Sequence, residues 1–278
     1  FVSKTVEASI IDPLRNSIGE KVIGIFAALR RELKPIAACL ADLDEFQESG
    51  VRFSVGRLNR ATVVLVQTGI GWTRALSAVQ IAAARFPLKF YISTGFAGAL
   101  QDSIRVGDLV IGKKVFSLLP GGPEKTFVCD EDFTRSAGTA AKVFSISRRG
   151  PSVGVFWGSL ATVGQIVGSA EEKKSIARKS DAVALDMETA AVADVAEQRG
   201  IPFIAVRAVS DTLNEDFGFD ASLLLTDRGR FRWWSGIRYL AGHPAALIHL
   251  NRLRRQSNLA ARSLGFFFQE FLPSLSLN

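Results

Sequence analysis

Four short segments of this chain are apolar almost without interruption: Lys21–Ala28 (KVIGIFAA), Ala61–Gln67 (ATVVLVQ), Lys89–Thr94 (KFYIST) and Pro202–Val209 (PFIAVRAV). A strand with one wet face alternates apolar and polar side chains. A strand that is apolar at nearly every position is buried on both faces and needs a covering layer on each side. Between these segments the spacing turns helical: Leu33, Ile36, Ala37 and Leu40 predict a helix over Leu29–Leu43, and further helices are expected over Trp72–Arg85, Ala170–Lys179 and Met187–Arg199. Shorter strand-like runs lie at Val51–Val55, Asp108–Phe116, Val153–Trp157 and Ala182–Leu185, with Asn59 near a turn. Alternating strands and helices predict an α/β fold whose sheet is covered on both faces.

The 278 residues suffice for one large domain or a domain with an appendage. No apolar run approaches a membrane span. Two cysteines, Cys39 and Cys129, are too few for a disulfide framework and fit a reducing, cytoplasmic setting. The only histidines, His243 and His249, fall near the end of the chain. Acid–base chemistry in the body therefore falls to carboxylates. The net charge of +7 is local: residues 228–269 hold eight arginines and no Asp or Glu, leaving the rest near neutral. Residues 1–20 read as an N-terminal extension without the apolar core of a signal peptide. The expected division is 1–20, an α/β domain over 21–220, and a basic helical extension over 221–278.

Several strand ends carry candidate chemistry. Thr68-Gly69-Ile70-Gly71 follows a strand and opens a helix, but Arg74 stands where a dinucleotide fingerprint needs its third glycine, so a tight turn is the better reading. Thr94-Gly95-Phe96-Ala97-Gly98 is either a plain turn or a place where backbone amides approach a ligand. In Leu185-Asp186-Met187-Glu188-Thr189 a buried strand runs into two carboxylates at a helix start. Helix capping accounts for the acids but not for the thioether between them. Arg207-Ala208-Val209-Ser210-Asp211 ends an apolar strand, and Asp211 is either a cap paired with Arg207 or a proton donor in a cleft. Arg30-Arg31-Glu32 offers a third acid, which a solvated helix turn would equally explain.

GIFAALRREL, TGFAGAL…VGDLVI, ALDMETAAVA and PFIAVRAVSD occur in that order. Together they resemble the nucleoside phosphorylase/nucleosidase family, and most closely its 5′-methylthioadenosine/S-adenosylhomocysteine nucleosidase branch, over about residues 21–217. The resemblance implies a single α/β domain with a central mixed sheet flanked by helices, a homodimer, and cleavage of a ribose–purine N-glycosidic bond without metal or organic cofactor. It implies that Glu32 activates the attacking water and Asp211 protonates the purine, with Ser210 orienting it. Glu188 would hold ribose hydroxyls, with Met187 packed on the sugar and Ala97 and Gly98 close to it. Gln165 and Ile166 would lie along the adenine. The chemistry is consistent: adenine leaves readily only once protonated, and carboxylates stabilise an oxocarbenium-like transition state.

The chain departs from that pattern at Phe96, at Gln165, and at Arg30 and Arg31, which could hold phosphate as co-substrate for phosphorolysis. The C-terminal segment is amphipathic. Leu250, Leu253, Ala260, Leu264, Phe267 and Phe271 share one face, opposite Arg252, Arg255 and Arg262, and Pro244 suits a first helical turn. Packing on the body or a dimer is the plainer expectation. The sharper one is peripheral contact of residues 228–271 with an anionic membrane, aided by Trp233, Trp234 and Tyr239. It resembles the hopanoid-associated branch of the family, whose substrate is an adenosyl lipid. The alternative from another class is a non-catalytic lipid-surface protein. Nucleic acid is disfavoured because the basic charge is confined to one segment.

Overall fold

The computed structural model describes residues 22–59, 61–122, 124–146, 153–216 and 244–275. The expected N-terminal extension, Trp233, Trp234, Tyr239 and His243 lie outside the described residues, as do the side chains of His249 and Leu250.

Among the described residues ten strands form one mixed sheet. Strand β1 (Val22–Ala27) runs parallel to β4 (Ala61–Gln67) on one side and β5 (Leu88–Ala99) on the other. Beyond β4 the sheet continues antiparallel through β3 (Val51–Leu58) to the edge strand β2 (Ala41–Glu48). Strand β5 is long enough to change partners: it pairs with β10 (Phe203–Asp211) along Tyr91–Gly98, then with β9 (Ala182–Asp186) at Gly98 and Ala99. Strand β10 pairs with β6 (Leu109–Leu118), β6 with β8 (Val155–Val163), and β8 with β9. Strands β5, β10, β6, β8 and β9 thus close on themselves, while β1, β4, β3 and β2 extend as an open wing. Strand β7 (Lys125–Val128) is a short addition to β6.

Both faces of β1 are buried, as its composition requires. Val22 and Phe26 join a core completed by Ala78, Val79 and Ala82 of helix α2 (Trp72–Arg85) and by Ala190, Val192 and Ala193 of α5 (Thr189–Arg199). Ile23, Ile25 and Ala27 join a second core on the opposite face. That core holds Leu33 and Ile36 of α1 (Arg30–Ala37), Ala137, Ala140 and Ala141 of α3 (Glu131–Ile146), and the aromatic face of α6 (Pro244–Ser274). Helix α4 (Ala170–Lys179) covers a third, smaller cluster around Ala161, Val163 and Leu185.

The structure corrects several expectations. The helix expected to reach Leu43 stops at Ala37, and residues 41–48 form β2 instead. That strand is mostly exposed at the sheet edge, so its sequence ADLDEFQE carries no apolar alternation to announce it. Helix α3 and strand β7 are elements for which no expectation was formed. The glycine-rich TGFAG segment does not end a strand; β5 runs through it, with Gly95 at φ +138°. Pro244 does open α6. The apolar face of that helix is occupied by the protein's own core: Ala260, Leu264, Phe267, Phe268 and Phe271 are fully buried against α1, α3 and β10, while Arg255 and Arg262 face outward. Among the described residues no helix is long and apolar enough to cross a membrane.

Candidate active site

Glu32 lies in the first turn of α1. Its Oε2 accepts from the amide of Leu29 at 2.6 Å, the arrangement of half a capping box, and its Oε1 accepts from the amide of Phe96 on β5 at 2.8 Å. The carboxyl is buried, at 3% exposure, although its neighbours Arg30 and Arg31 are exposed. Burial pushes its pKa up; the amides of Phe96 and Leu29 and the positive charge of Arg207 pull it back. The structure therefore does not bring Arg30 and Arg31 to Glu32. Arg30 instead bonds Glu45 on β2 at 3.2 Å.

Arg207 is the hub of the site. An arginine inside an otherwise apolar strand must find partners where it is buried. Its Nε lies 2.9 Å from Asp186 Oδ2, its Nη1 donates to the carbonyl of Thr94 at 2.6 Å, and its Nη2 donates to Ser93 Oγ at 3.0 Å and to Thr189 Oγ1 at 2.6 Å. Of the two readings of Asp211, the one that paired it with Arg207 is not met: Arg207 serves Asp186, because β10 aims its side chain across β5 towards the start of α5. Gly95 makes room for this. A β-carbon there would stand 2.5 Å from Arg207 Nη1 and 2.8 Å from Glu32 Oε1.

Asp186 and Glu188 divide two tasks that the sequence left together. Asp186 takes the capping role: its Oδ1 accepts from the amides of Glu188 and Thr189 and from Thr162 Oγ1, and its Oδ2 accepts from the Thr189 hydroxyl. Glu188 makes no side-chain cap to α5 and instead accepts from the amide of Gly71 at 2.7 Å. Burial pushes its pKa up to about 7, with Asp186 and Glu32 adding to the rise and Arg207 and the Gly71 amide opposing it. The TGIG turn is thus structural, as read from the missing third glycine, and its last amide also reaches the candidate site. Met187 comes near the same turn, its Cε 4.0 Å from where a β-carbon on Gly71 would lie.

Asp211 ends β10, at 6% exposure. Ser210 Oγ donates to its Oδ1 at 2.8 Å, and Lys173 Nζ on α4 lies 2.6 Å from its Oδ2. A β-carbon on Gly98 would stand 2.8 Å from that same Oδ2. Burial raises the Asp211 pKa, opposed by Lys173 and by the Ser210 hydroxyl. Ala97 is buried in β5 and its carbonyl lies 3.4 Å from Ser210 Oγ. Gln165 is exposed and Ile166 half-buried in the segment joining β8 to α4. Lys173 was not foreseen, because AEEKKSIARK reads as a solvated helix. The available signal was its position three and four residues before Ile176 and Ala177, on the stripe that packs inward.

A mixed sheet with one closed limb, carrying buried acids at the ends of β9 and β10 and beside β5, defines a nucleoside phosphorylase-type α/β protein. The chain belongs to the phosphorylase superfamily, whose family model matches residues 22–227. It is 31% identical over 218 residues to the 5′-methylthioadenosine/S-adenosylhomocysteine nucleosidase of Staphylococcus haemolyticus, covering 73% of this chain and 92% of that protein. The same-named protein of a Geobacillus species is 28% identical over 208 residues, covering 70% and 87%. Among solved structures, the nucleosidase of Neisseria meningitidis in complex with methylthio-immucillin-A shares the fold with a TM-score of 0.71 at 22% identity, covering 92% of this chain and all of that one. Futalosine hydrolase of Helicobacter pylori shares it with a TM-score of 0.67 at 19% identity, covering 89% and 97%.

Proposed function

We propose that this protein hydrolyses the N-glycosidic bond of a 5′-substituted adenosine and releases adenine. The observation that carries the reading is that buried carboxyls stand against one strand, β5, at two glycines. Glu32 and Arg207 meet at Gly95, and Asp211 stands against Gly98. Three residues of strand, a rise of about 10 Å, lie between the two glycines. Two acids held at separate points of one strand suit a base on the ribose side and an acid at the purine.

In this reading Glu32 takes a proton from water, whose oxygen attacks C1′. The C1′–N9 bond breaks and its electron pair goes to the purine. Asp211 supplies the proton that makes adenine a neutral leaving group. The raised pKa of Asp211 suits a donor; burial raises Glu32 as well, and the two amides and Arg207 around it oppose that rise, towards the ionised form that a base requires. Glu188 and Met187 are assigned to the ribose, and Ser210 to orienting Asp211. Ala97 and Gly98 flank the sugar, with Gln165 and Ile166 towards the base. No step calls for a metal or organic cofactor.

The names of the curated relatives support a small thioether or homocysteinyl group at the 5′ position, and the family likeness supports a homodimer. The setting of Arg30 and Arg31, exposed and with Arg30 bonded to Glu45, favours water over phosphate as nucleophile. Adenine release is to be followed from methylthioadenosine, S-adenosylhomocysteine and an adenosyl lipid, with and without phosphate. The expected result is phosphate-independent release from one of the first two, with free sugar as co-product, and near-complete loss in Glu32→Gln. Release that requires phosphate and yields a sugar 1-phosphate would overturn hydrolysis.

A further inference from the structure

Lys173 is fully buried, yet its neighbours on α4 are the charged residues of a surface helix. Burying an ammonium is costly unless its donors are satisfied and an opposite charge is close. Both conditions are met at one place. Its Nζ donates to the carbonyls of Thr212 at 2.8 Å and Glu215 at 3.2 Å and lies 2.6 Å from Asp211 Oδ2. The lysine therefore reaches from α4 to the carboxyl that ends β10 and to the segment that follows it.

We propose that Lys173 is a positioning residue for the proton donor, holding Asp211 Oδ2 in place and setting the pH above which that acid is lost. The inference rests on Asp211 being the acid. The geometry assigns the two oxygens different partners: Ser210 on Oδ1 and Lys173 on Oδ2, with Oδ2 seated where a β-carbon on Gly98 would stand. A fixed positive charge at this distance stabilises the carboxylate, so it opposes the upward push of burial. Glu215 faces Asp211 from the following segment and raises its proton affinity. The Glu215 carboxylate is in turn held by Arg252 at 3.1 Å and Gln256 at 2.6 Å on α6. Among the described residues Lys173 is thus the cation paired with the acid, and Glu215 is balanced by its own partner.

The test is the pH profile of kcat/KM for Lys173→Met and Lys173→Arg on the nucleoside that the wild type cleaves. Without the ammonium, Asp211 keeps its proton to higher pH. The alkaline limb of the Lys173→Met profile is expected to move up by roughly one to three pH units, the range of an opposite-charge neighbour, while the rate at the optimum falls. Lys173→Arg keeps the charge and is expected to leave the limb in place with a smaller fall. A purely structural lysine would lower the rate in both variants without moving the limb, and that result overturns the proposal. If Lys173→Met does not fold, Lys173→Gln takes its place: a limb moved to higher pH supports the charge role, an unmoved one overturns it. Asp211→Asn separates this from the assignment of the acid. Near wild-type turnover in Asp211→Asn sinks the assignment, whereas a dead Asp211→Asn with an unmoved Lys173→Met limb sinks only the role of Lys173.

Discussion

A methyl group at Gly95 would overlap Arg207 Nη1 and Glu32 Oε1 together, and the φ of +138° there already disfavours any side chain. Gly98 is constrained differently, by contact alone, with Asp211 Oδ2 as the atom displaced. The two substitutions should therefore fail in different ways. Gly95→Ala is expected to lose stability and turnover together, because it disturbs the buried Arg207 hub. Gly98→Ala is expected to melt near the wild-type temperature yet lose on the order of 10²-fold in kcat, since displacement of a catalytic group by about 1 Å costs that much. Paired thermal melts and initial rates check both; a Gly98→Ala protein with wild-type kcat would show that Asp211 Oδ2 need not sit where it does.

Helix α6 bears on the site through two ends. Near its C-terminal end Gly265 lies against Pro35 of α1, where a β-carbon would come within 2.6 Å of the Pro35 Cβ. That contact braces the helix carrying Glu32. In its N-terminal half Arg252 donates to the carbonyl of Asp216 and pairs with Glu215, tying down the segment that follows Asp211. Phe267, Phe268 and Phe271 fill the core between, with ring centroids 5.0 to 6.0 Å apart. Phe267→Ala is expected to cost about 3–5 kcal/mol, the usual range for a buried aromatic, measured by denaturant unfolding. Removing residues 244–278 is expected to leave an aggregating chain rather than an active body. A truncated protein that melts normally and cleaves substrate would contradict this, and a matching loss of vesicle binding would then restore a lipid role for the segment.

Over the whole molecule the buried acids make stability depend on pH in an unusual direction. Burial raises Glu32, Glu188 and Asp211 alike. An acid whose pKa is higher folded than unfolded favours the fold in its protonated form. Glu188 thus contributes most below its ordinary value of about 4.5, and that contribution is lost as pH rises through about 7. Glu188→Gln should remove this slope. The wild type is expected to lose melting temperature relative to Glu188→Gln as pH is raised from about 4.5 to 7, without substrate. A constant difference between the two across that range would mean that Glu188 is ionised throughout.

The strands that are apolar at nearly every position determined that this sheet is covered on both sides, because no other arrangement removes KVIGIFAA and PFIAVRAV from water. The same runs placed Glu32, Glu188 and Asp211 at strand ends and helix starts, where α/β proteins bind ligands. Elements without periodicity were not legible: β2 is an exposed edge, and its polar sequence is that of a loop. Partnerships were not legible either. Arg207 and Asp211 are four residues apart on one strand, and sequence proximity left an ion pair open as one of two readings. The tertiary structure gave Arg207 to Asp186 and Asp211 to Lys173, because side chains four apart on a strand stand more than 10 Å apart while different elements converge on one point. Likewise, the amphipathic face of α6 was evident from its spacing, but a helical wheel says only that the face must be covered. Whether lipid or protein covers it depends on the cavity that α1, α3 and β10 leave open, which exists only once the chain is folded.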